Sequence, residues 1–145
     1  MDRKRDAGRY INRISNRLKR RSHMLEEVLG LTTAQGNILG FILIEGTDRK
    51  LYQKDIEKEF DLRPSTATEL VRALEKKELV YRICDEHDAR YKILRPTKKA
   101  EEMRADIEEE IDELERTLVK NISEEELELF KKTAEKMLAN LVEPQ

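Results

Sequence analysis

Cysteine occurs once in these 145 residues, histidine twice, proline three times, and tryptophan not at all. The lone Cys84 excludes an intrachain disulfide. His23 and His87 stand far apart, and no Cys-x-x-Cys or His-x-x-x-His spacing exists, so no metal is expected. The five glycines are scattered, which leaves no glycine-rich loop to cradle a phosphate. No serine sits in a nucleophile elbow, and Cys84 lacks a local histidine signature. No catalytic residue and no cofactor are therefore expected, and an enzyme is disfavoured. The longest apolar-rich run, GNILGFILI, is too short to span a bilayer, so no membrane is expected as a partner. The first residues, MDRKRDAGRY, lack the apolar core of a signal peptide, and the expected location is cytoplasmic.

Charge is what the chain has in abundance. Charged residues make up 41% and hydrophobic ones 38%, more charge than a compact monomer of this length usually carries. The net charge of −2 hides a strong segregation. Residues 1–23 carry +7, residues 24–62 carry −4, residues 63–99 carry +4 and residues 100–145 carry −9. A basic segment can serve nucleic acid whatever the global balance, because the location of the cations decides.

Periodicity divides the chain into helices with one interruption. Tyr10, Ile14, Leu18, Leu25 and Leu29 form a helical stripe over about 6–29, with Ile11 and Val28 beside it and Gly30 as its stop. Thr32 or Thr33 caps a helix from Gln35 to Ile44 that is apolar nearly all round and so should be buried. Leu51–Phe60 reads as a short helix, Asp61-Leu62-Arg63 as a turn, and Pro64 as the first residue of a helix reaching Lys77. Two short helices across such a turn make a helix-turn-helix. The period then falls to two. Leu79–Cys84 and Tyr91–Arg95 read as the strands of a hairpin that Pro96 ends. Met103, Ile107, Ile111, Leu114 and Leu118 form a narrow seam like that of a coiled coil. Ser123-Glu124-Glu125-Glu126 is a capping box opening a last helix with Leu127, Phe130, Ala134, Met137, Leu138 and Leu141 inward. The fold class is mainly α with a small β-hairpin wing.

A helix-turn-helix followed at once by a charged hairpin is a winged helix. Here residues 52–100 resemble the DNA-binding lobe of MarR-family transcriptional regulators. The resemblance lies in LVRALEKKELVYR at 70–82, in Asp88-Ala89-Arg90 near the wing tip, and in Thr97 where the next helix begins. Glu78 stands where the family usually has Gly, a residue suited to a left-handed helix cap. His87 replaces a common Arg, Pro96 a Leu and Ala100 a Gly, and Glu69 occupies a position often basic or polar. The resemblance implies a single domain over 1–145: dimerisation helices at about 6–30 and 101–142 around a winged helix-turn-helix lobe at about 32–100. It also implies a homodimer, a repressor's role, and a small aromatic or anionic effector bound between dimerisation helices and lobe. Arg13, Arg17 and His23 are weak candidates for that effector, with Met24 and Phe41 nearby in the same reading.

The physics of DNA recognition assigns the remaining roles. The helix over 64–77 fits the major groove, and the wing over 81–95 reaches the minor groove. Arg63 or Arg72 can pair with guanine, and Glu69 can accept from a cytosine amino group. Ser65 and Thr66 suit phosphate at a helix N-terminus, although each can equally be a cap. Thr68 faces outward with them, and Gln53 and Lys54 offer backbone contacts. Arg90 is the side chain for a narrow minor groove, oriented by Asp88; a local ion pair with no DNA contact is the alternative. Lys92 and Arg95 continue toward phosphate, and Cys84 reads as a small buried strand residue. Outward stripes on the first helix and on the 103–118 helix require a partner. A two-fold dimer requires double-stranded DNA with a pseudo-palindromic operator. The basic N-terminal run is expected to balance the acidic 101–115 segment across that dimer. A winged-helix protein–protein module and a ligand-independent DNA-binding protein stay open as alternatives.

Overall fold

The computed structural model describes residues 5–21 and 26–142. In chain order the elements are α1 (Asp6–Arg21), α2 (Thr33–Glu45), α3 (Gln53–Glu59), α4 (Pro64–Lys76), β1 (Val80–Cys84), β2 (Lys92–Pro96), α5 (Lys98–Leu118) and α6 (Glu124–Asn140). The chain divides into two compact units, Met1–Leu114 and Glu115–Gln145.

The first unit is built around α2. Thr32 caps it, its hydroxyl accepting from the Gln35 N–H at 3.1 Å while the Gln35 side chain accepts from the Thr32 N–H at 3.2 Å. No charged residue follows until Glu45, and Gly36, Ile38, Leu39, Gly40, Ile42 and Leu43 are all buried. Around it pack Ile56 of α3, Ala67, Val71 and Leu74 of α4, Val80 and Leu94 of the hairpin, and Ala100 and Ile107 of α5. α5 passes close to Gly40: a Cβ there would stand 2.7 Å from Ile111 Cδ1 and 3.4 Å from Ile107 Cγ2. The carbonyl end of α2 is satisfied from the same helix, Arg104 Nη2 donating to the Leu43 carbonyl at 2.7 Å.

This arrangement corrects the reading of the 103–118 seam as an outward stripe. Ile107 is buried, and Met103 and Ile111 pack on the core. The lobe, not a second chain, takes the first half of that stripe. Leu118 remains exposed. α1 follows the outward reading, with no buried residue and with Tyr10, Ile11 and Ile14 about half exposed. Leu25, which was to continue that stripe, lies outside the described residues, as do His23 and Met24. Gly30 closes the segment in the left-handed region, at φ +69°.

The helix-turn-helix forms nearly as expected. Leu51 and Tyr52 are extended rather than helical, and α3 begins at Gln53. Asp61 turns the chain at φ +52°. The hairpin pairs Val80 with Pro96 through to Cys84 with Lys92. The Leu51 carbonyl accepts from the Leu94 N–H at 2.8 Å, tying the segment before α3 to β2.

The end of α4 shows what Glu78 does without glycine's freedom. The cap is not rebuilt: Glu78 itself adopts φ +61°. The Leu79 N–H reaches back to the Leu74 carbonyl at 3.0 Å and the Glu78 N–H to the Glu75 carbonyl at 2.9 Å, the Schellman pattern. The Thr97 hydroxyl donates to the Glu78 carbonyl at 2.7 Å and Lys99 Nζ to the Lys77 carbonyl at 3.0 Å. Lys77 Nζ in turn holds the Gly30 carbonyl and Gln35 Oε1, each at 2.6 Å.

In the second unit Ser123 and Glu126 form the expected capping box, at 3.1 and 3.2 Å. The inward face expected of α6 is not buried. Leu127, Ala134 and Met137 are half-buried, while Leu138, Leu141 and Phe130, the last 62% exposed, face solvent.

Two substitutions test this packing in urea melts at fixed protein concentration. Ile107→Ala is expected to cost about 2–5 kcal/mol, the usual loss for a buried aliphatic side chain. Glu78→Gly is expected to gain about 0.5–1 kcal/mol, because relief of left-handed strain exceeds glycine's added unfolded-state entropy. A loss on Glu78→Gly would mean that the Glu78 side chain contributes more than its backbone costs.

Candidate nucleic-acid interface

Ala67, Val71 and Leu74 turn one face of α4 into the core. The 3.6-residue period then sets Ser65, Glu69 and Arg72 on the opposite ridge, and all three are exposed. Arg63 is the N-cap and supplies no side-chain cap hydrogen bond, and Pro64 occupies the first turn. Ser65 and Thr66 are thus exposed first-turn residues, not the cap. The amides of that turn lack a side-chain acceptor from the cap and suit an anion.

Gln53 and Thr68 are more internally committed than expected. Gln53 Nε2 donates to the Thr68 hydroxyl at 2.9 Å, and that hydroxyl donates to the Pro64 carbonyl at 2.8 Å. Gln53 Nε2 also approaches Glu57 Oε2 at 3.3 Å. These contacts lock α3 to α4 across the turn. Lys54, by contrast, projects into solvent.

The wing tip carries a forked ion pair. Arg90 Nη2 meets Asp88 Oδ2 at 2.8 Å and Arg90 Nε meets Asp88 Oδ1 at 3.0 Å, while the Arg90 N–H also donates to Asp88 Oδ1 at 3.1 Å. Arg90 holds the Asp88 carboxyl below its usual range, and Asp88 raises the Arg90 guanidinium in return. The Arg90 side chain stays 84% exposed, with its guanidinium 6.0 Å from the centre of the Tyr91 ring. An exposed pair of this kind adds little stability. Its effect is to fix the direction of a cation that remains available.

The strands depart from expectation at two residues. Cys84 is exposed rather than buried, because it is the last paired residue before the loop and lies beyond the core. Lys92 Nζ lies 2.9 Å from its sulfur. Arg95 is half-buried, and its Nε is buried with no hydrogen-bond partner.

Several organising residues escaped the sequence reading. Arg82 grips Glu75 at 2.7 Å, joining β1 to α4. The Tyr52 hydroxyl donates to Asp85 Oδ2 at 2.5 Å, and Lys50 Nζ lies 3.5 Å from Asp85 Oδ1. The His87 N–H donates to the same Oδ1 at 3.0 Å. Asp55 accepts from the Tyr52 N–H at 2.8 Å, a cap that an aromatic residue in the capping position conceals from pattern reading. The Tyr52 hydroxyl lowers the Asp85 pKa to about 2, helped by the His87 N–H and by Lys50, and Asp85 raises the Tyr52 phenol.

Of the effector candidates, Arg13 and Arg17 line a shallow hollow of about 150 Å³ on α1 with Tyr10 and Ile14. The Arg13 guanidinium stands 5.6 Å over the Tyr10 ring. Phe41 belongs elsewhere, edge-on to Phe60 at 5.7 Å. His23 lies outside the described residues. Among the described residues no helix is long and apolar enough to cross a membrane.

Comparison with known proteins places this geometry. The MarR family model matches residues 29–90. The Staphylococcus aureus MepR–DNA complex aligns with a TM-score of 0.85 at 31% identity, over 97% of this chain and 100% of that one. The transcription regulator MarR from Oenococcus oeni PSU-1 aligns with a TM-score of 0.85 at 29% identity, over 92% and 99% of the two chains. A Listeria monocytogenes protein complexed with a 26mer DNA shares the fold at 22% identity, with a TM-score of 0.77 over 94% and 89%. No curated protein matches the chain.

The Asp85 assignment predicts a titration. A carboxyl depressed in the folded state contributes stability above its unfolded value, about 3.9, and loses it as pH falls toward its folded one. The Asp85 carboxyl carbon followed by NMR is therefore expected to titrate near about 2. Tyr52→Phe should move that midpoint upward. An unchanged midpoint would show that the hydroxyl is not the main cause.

Proposed function

Because the chain belongs to the MarR family, we propose that it is a homodimeric transcriptional regulator. It binds double-stranded DNA by sequence and acts as a repressor that a small molecule releases. The observation that carries this reading is the pairing of two exposed features on one lobe. One is the outward ridge Ser65-Glu69-Arg72 of α4; the other is Arg90, held by Asp88 with its side chain 84% exposed. MepR of S. aureus, similar over the whole of its length, is crystallised with DNA.

In this reading α4 enters the major groove. Arg72 and Arg63 address guanine, Glu69 accepts from a base amino group, and Ser65 and Thr66 hold phosphate with the first-turn amides. Arg90 enters the minor groove, and Lys54 and Lys92 follow the backbone. Gln53 and Thr68 contribute chiefly by keeping the helix-turn-helix closed. A second copy covers the stripes of α1 and α6, which a single chain leaves exposed. The two-fold axis then requires a pseudo-palindromic operator. Arg13 and Arg17 offer cations to an anionic or aromatic effector at the hollow on α1. A protein with genomic DNA as its partner works in the cytoplasm.

Fluorescence anisotropy against operators selected from a random DNA pool, over a salt series, tests this. Tight sequence-selective binding with a steep salt slope is expected. Arg72→Ala should cost about 1–3 kcal/mol and relax preference at one G·C pair. Arg90→Ala should weaken preference for A·T flanks. Sedimentation should give twice the 17.1 kDa chain mass, and Ile14→Asp should shift it toward the monomer. Binding that never exceeds that to random DNA would refute the reading.

A further inference from the structure

The wing loop has little of its own to hold it. Beyond the last paired residues, Cys84 and Lys92, its backbone is closed by Asp85 N–H to the Tyr91 carbonyl and Tyr91 N–H to the Asp88 carbonyl, each 3.0 Å. A two-stranded hairpin is marginal alone, so the attitude of its tip depends on what grips its base. Tyr52 does so at two points. Its hydroxyl donates to Asp85 at 2.5 Å, and its ring meets Tyr91 edge-on, with centroids 6.0 Å apart and planes at 73°. Asp85 precedes Asp88 by three residues, and Tyr91 follows Arg90 directly and lies beneath its guanidinium.

The grip is itself anchored. Leu51 is buried and bonded to β2 through its carbonyl, and the Tyr52 N–H is fixed by Asp55 at 2.8 Å. The contact thus runs from the core of the lobe to the base of the wing. It also disposes of a carboxylate that would repel phosphate. Asp85 is 10% exposed at its side chain, with Tyr52, Lys50 and the His87 N–H on its oxygens.

We propose that Tyr52 is a positioning residue for DNA binding: its hydroxyl, through Asp85, sets the angle of the wing to the helix-turn-helix and so the reach of Arg90. This inference rests on the DNA-binding reading above. The hydroxyl adds nothing to the core, and Phe keeps the ring against Tyr91, so Tyr52→Phe removes the position without the packing.

The test is a double-mutant cycle on the selected operator with Tyr52→Phe, Arg90→Ala and both together. Tyr52→Phe is expected to weaken binding roughly three- to tenfold, the scale of one hydrogen bond. In the Arg90→Ala background the same change is expected to cost almost nothing, because its effect passes through Arg90. Hydroxyl-radical footprints of Tyr52→Phe should lose protection at the minor-groove flanks and keep it at the centre. Equal losses in both backgrounds, no loss in either, or uniform loss of the footprint would overturn the proposal. Should Tyr52→Phe fold poorly, Asp85→Ala removes the acceptor and gives the cycle from the other partner, and a loss of affinity is expected there despite the removal of a negative charge. Failure of the unmodified protein to select any operator would overturn the DNA reading instead, and this inference with it.

Discussion

A helix with a broad apolar face needs several partners at once, and α2 is that helix. Its buried residues Gln35, Gly36, Ile38, Leu39, Gly40, Ile42 and Leu43 make that face, while Ala34, Asn37 and Ile44 stay exposed, and α3, α4, the hairpin and the start of α5 are its walls. The consequence for α4 is geometric. With Ala67, Val71 and Leu74 committed inward, its opposite ridge has no choice but to face out. The consequence for α5 is a close crossing at Gly40, where an added Cβ would force the end of the Ile111 side chain to shift. One apolar segment thus fixes the direction of the exposed ridge of α4 and the root of the long helix together.

Polar contacts then decide how firmly the pieces around α2 are joined. They concentrate at the C-terminal end of α4, where Lys77, Glu78, Thr97 and Lys99 tie its last turn to the Gly30 segment and to the start of α5. Helix carbonyls left without partners at that end would cost free energy if buried. Thr97 and Lys99 supply partners to the Glu78 and Lys77 carbonyls, and Lys77 donates in turn to the Gly30 carbonyl and Gln35, so the end of α4 is sensitive to both neighbours. A shift in the segment after α1 is felt at Lys77, and a shift at the root of α5 is felt at Thr97 and Lys99. Arg82 on Glu75 adds the hairpin to the same junction.

How far the sequence carried the reading depends on the range of each interaction. α2, the turn before Pro64 and the paired strands rest on local period and local caps, and they were legible. The direction of the Met103–Ile107–Ile111 stripe was not, because an apolar seam has one pattern whether its partner is the same lobe or another chain. Cys84 alternates correctly in its strand, but nothing local says that the strand outruns the core there. Tyr52 and Asp85 lie 33 positions apart, and neither residue type announces such a bond. Arg90 and Asp88 were legible because the pair is local and its spacing resembles a known wing. The face of α6 was misread for the reason that applied to α5, with the opposite outcome: here the apolar residues remain uncovered.

The charges of α4 and the wing are handled in different ways. Arg90 and Asp85 show two of them: one is held outward by a neighbour, the other is engaged from three sides. Glu69 is neither. It is exposed on the ridge of α4 and has no ion-pair partner among the described residues. On a surface meant to meet a polyanion, an unpaired carboxylate weakens binding to every sequence that offers it an acceptor. It is tolerated where a base presents an amino group. Cations along the backbone give affinity without regard to sequence, so discrimination has to come from residues that make most sequences worse. In the proposed regulator Glu69 is such a residue, and Arg63, Arg72 and Arg90 supply the attraction against which its selectivity operates.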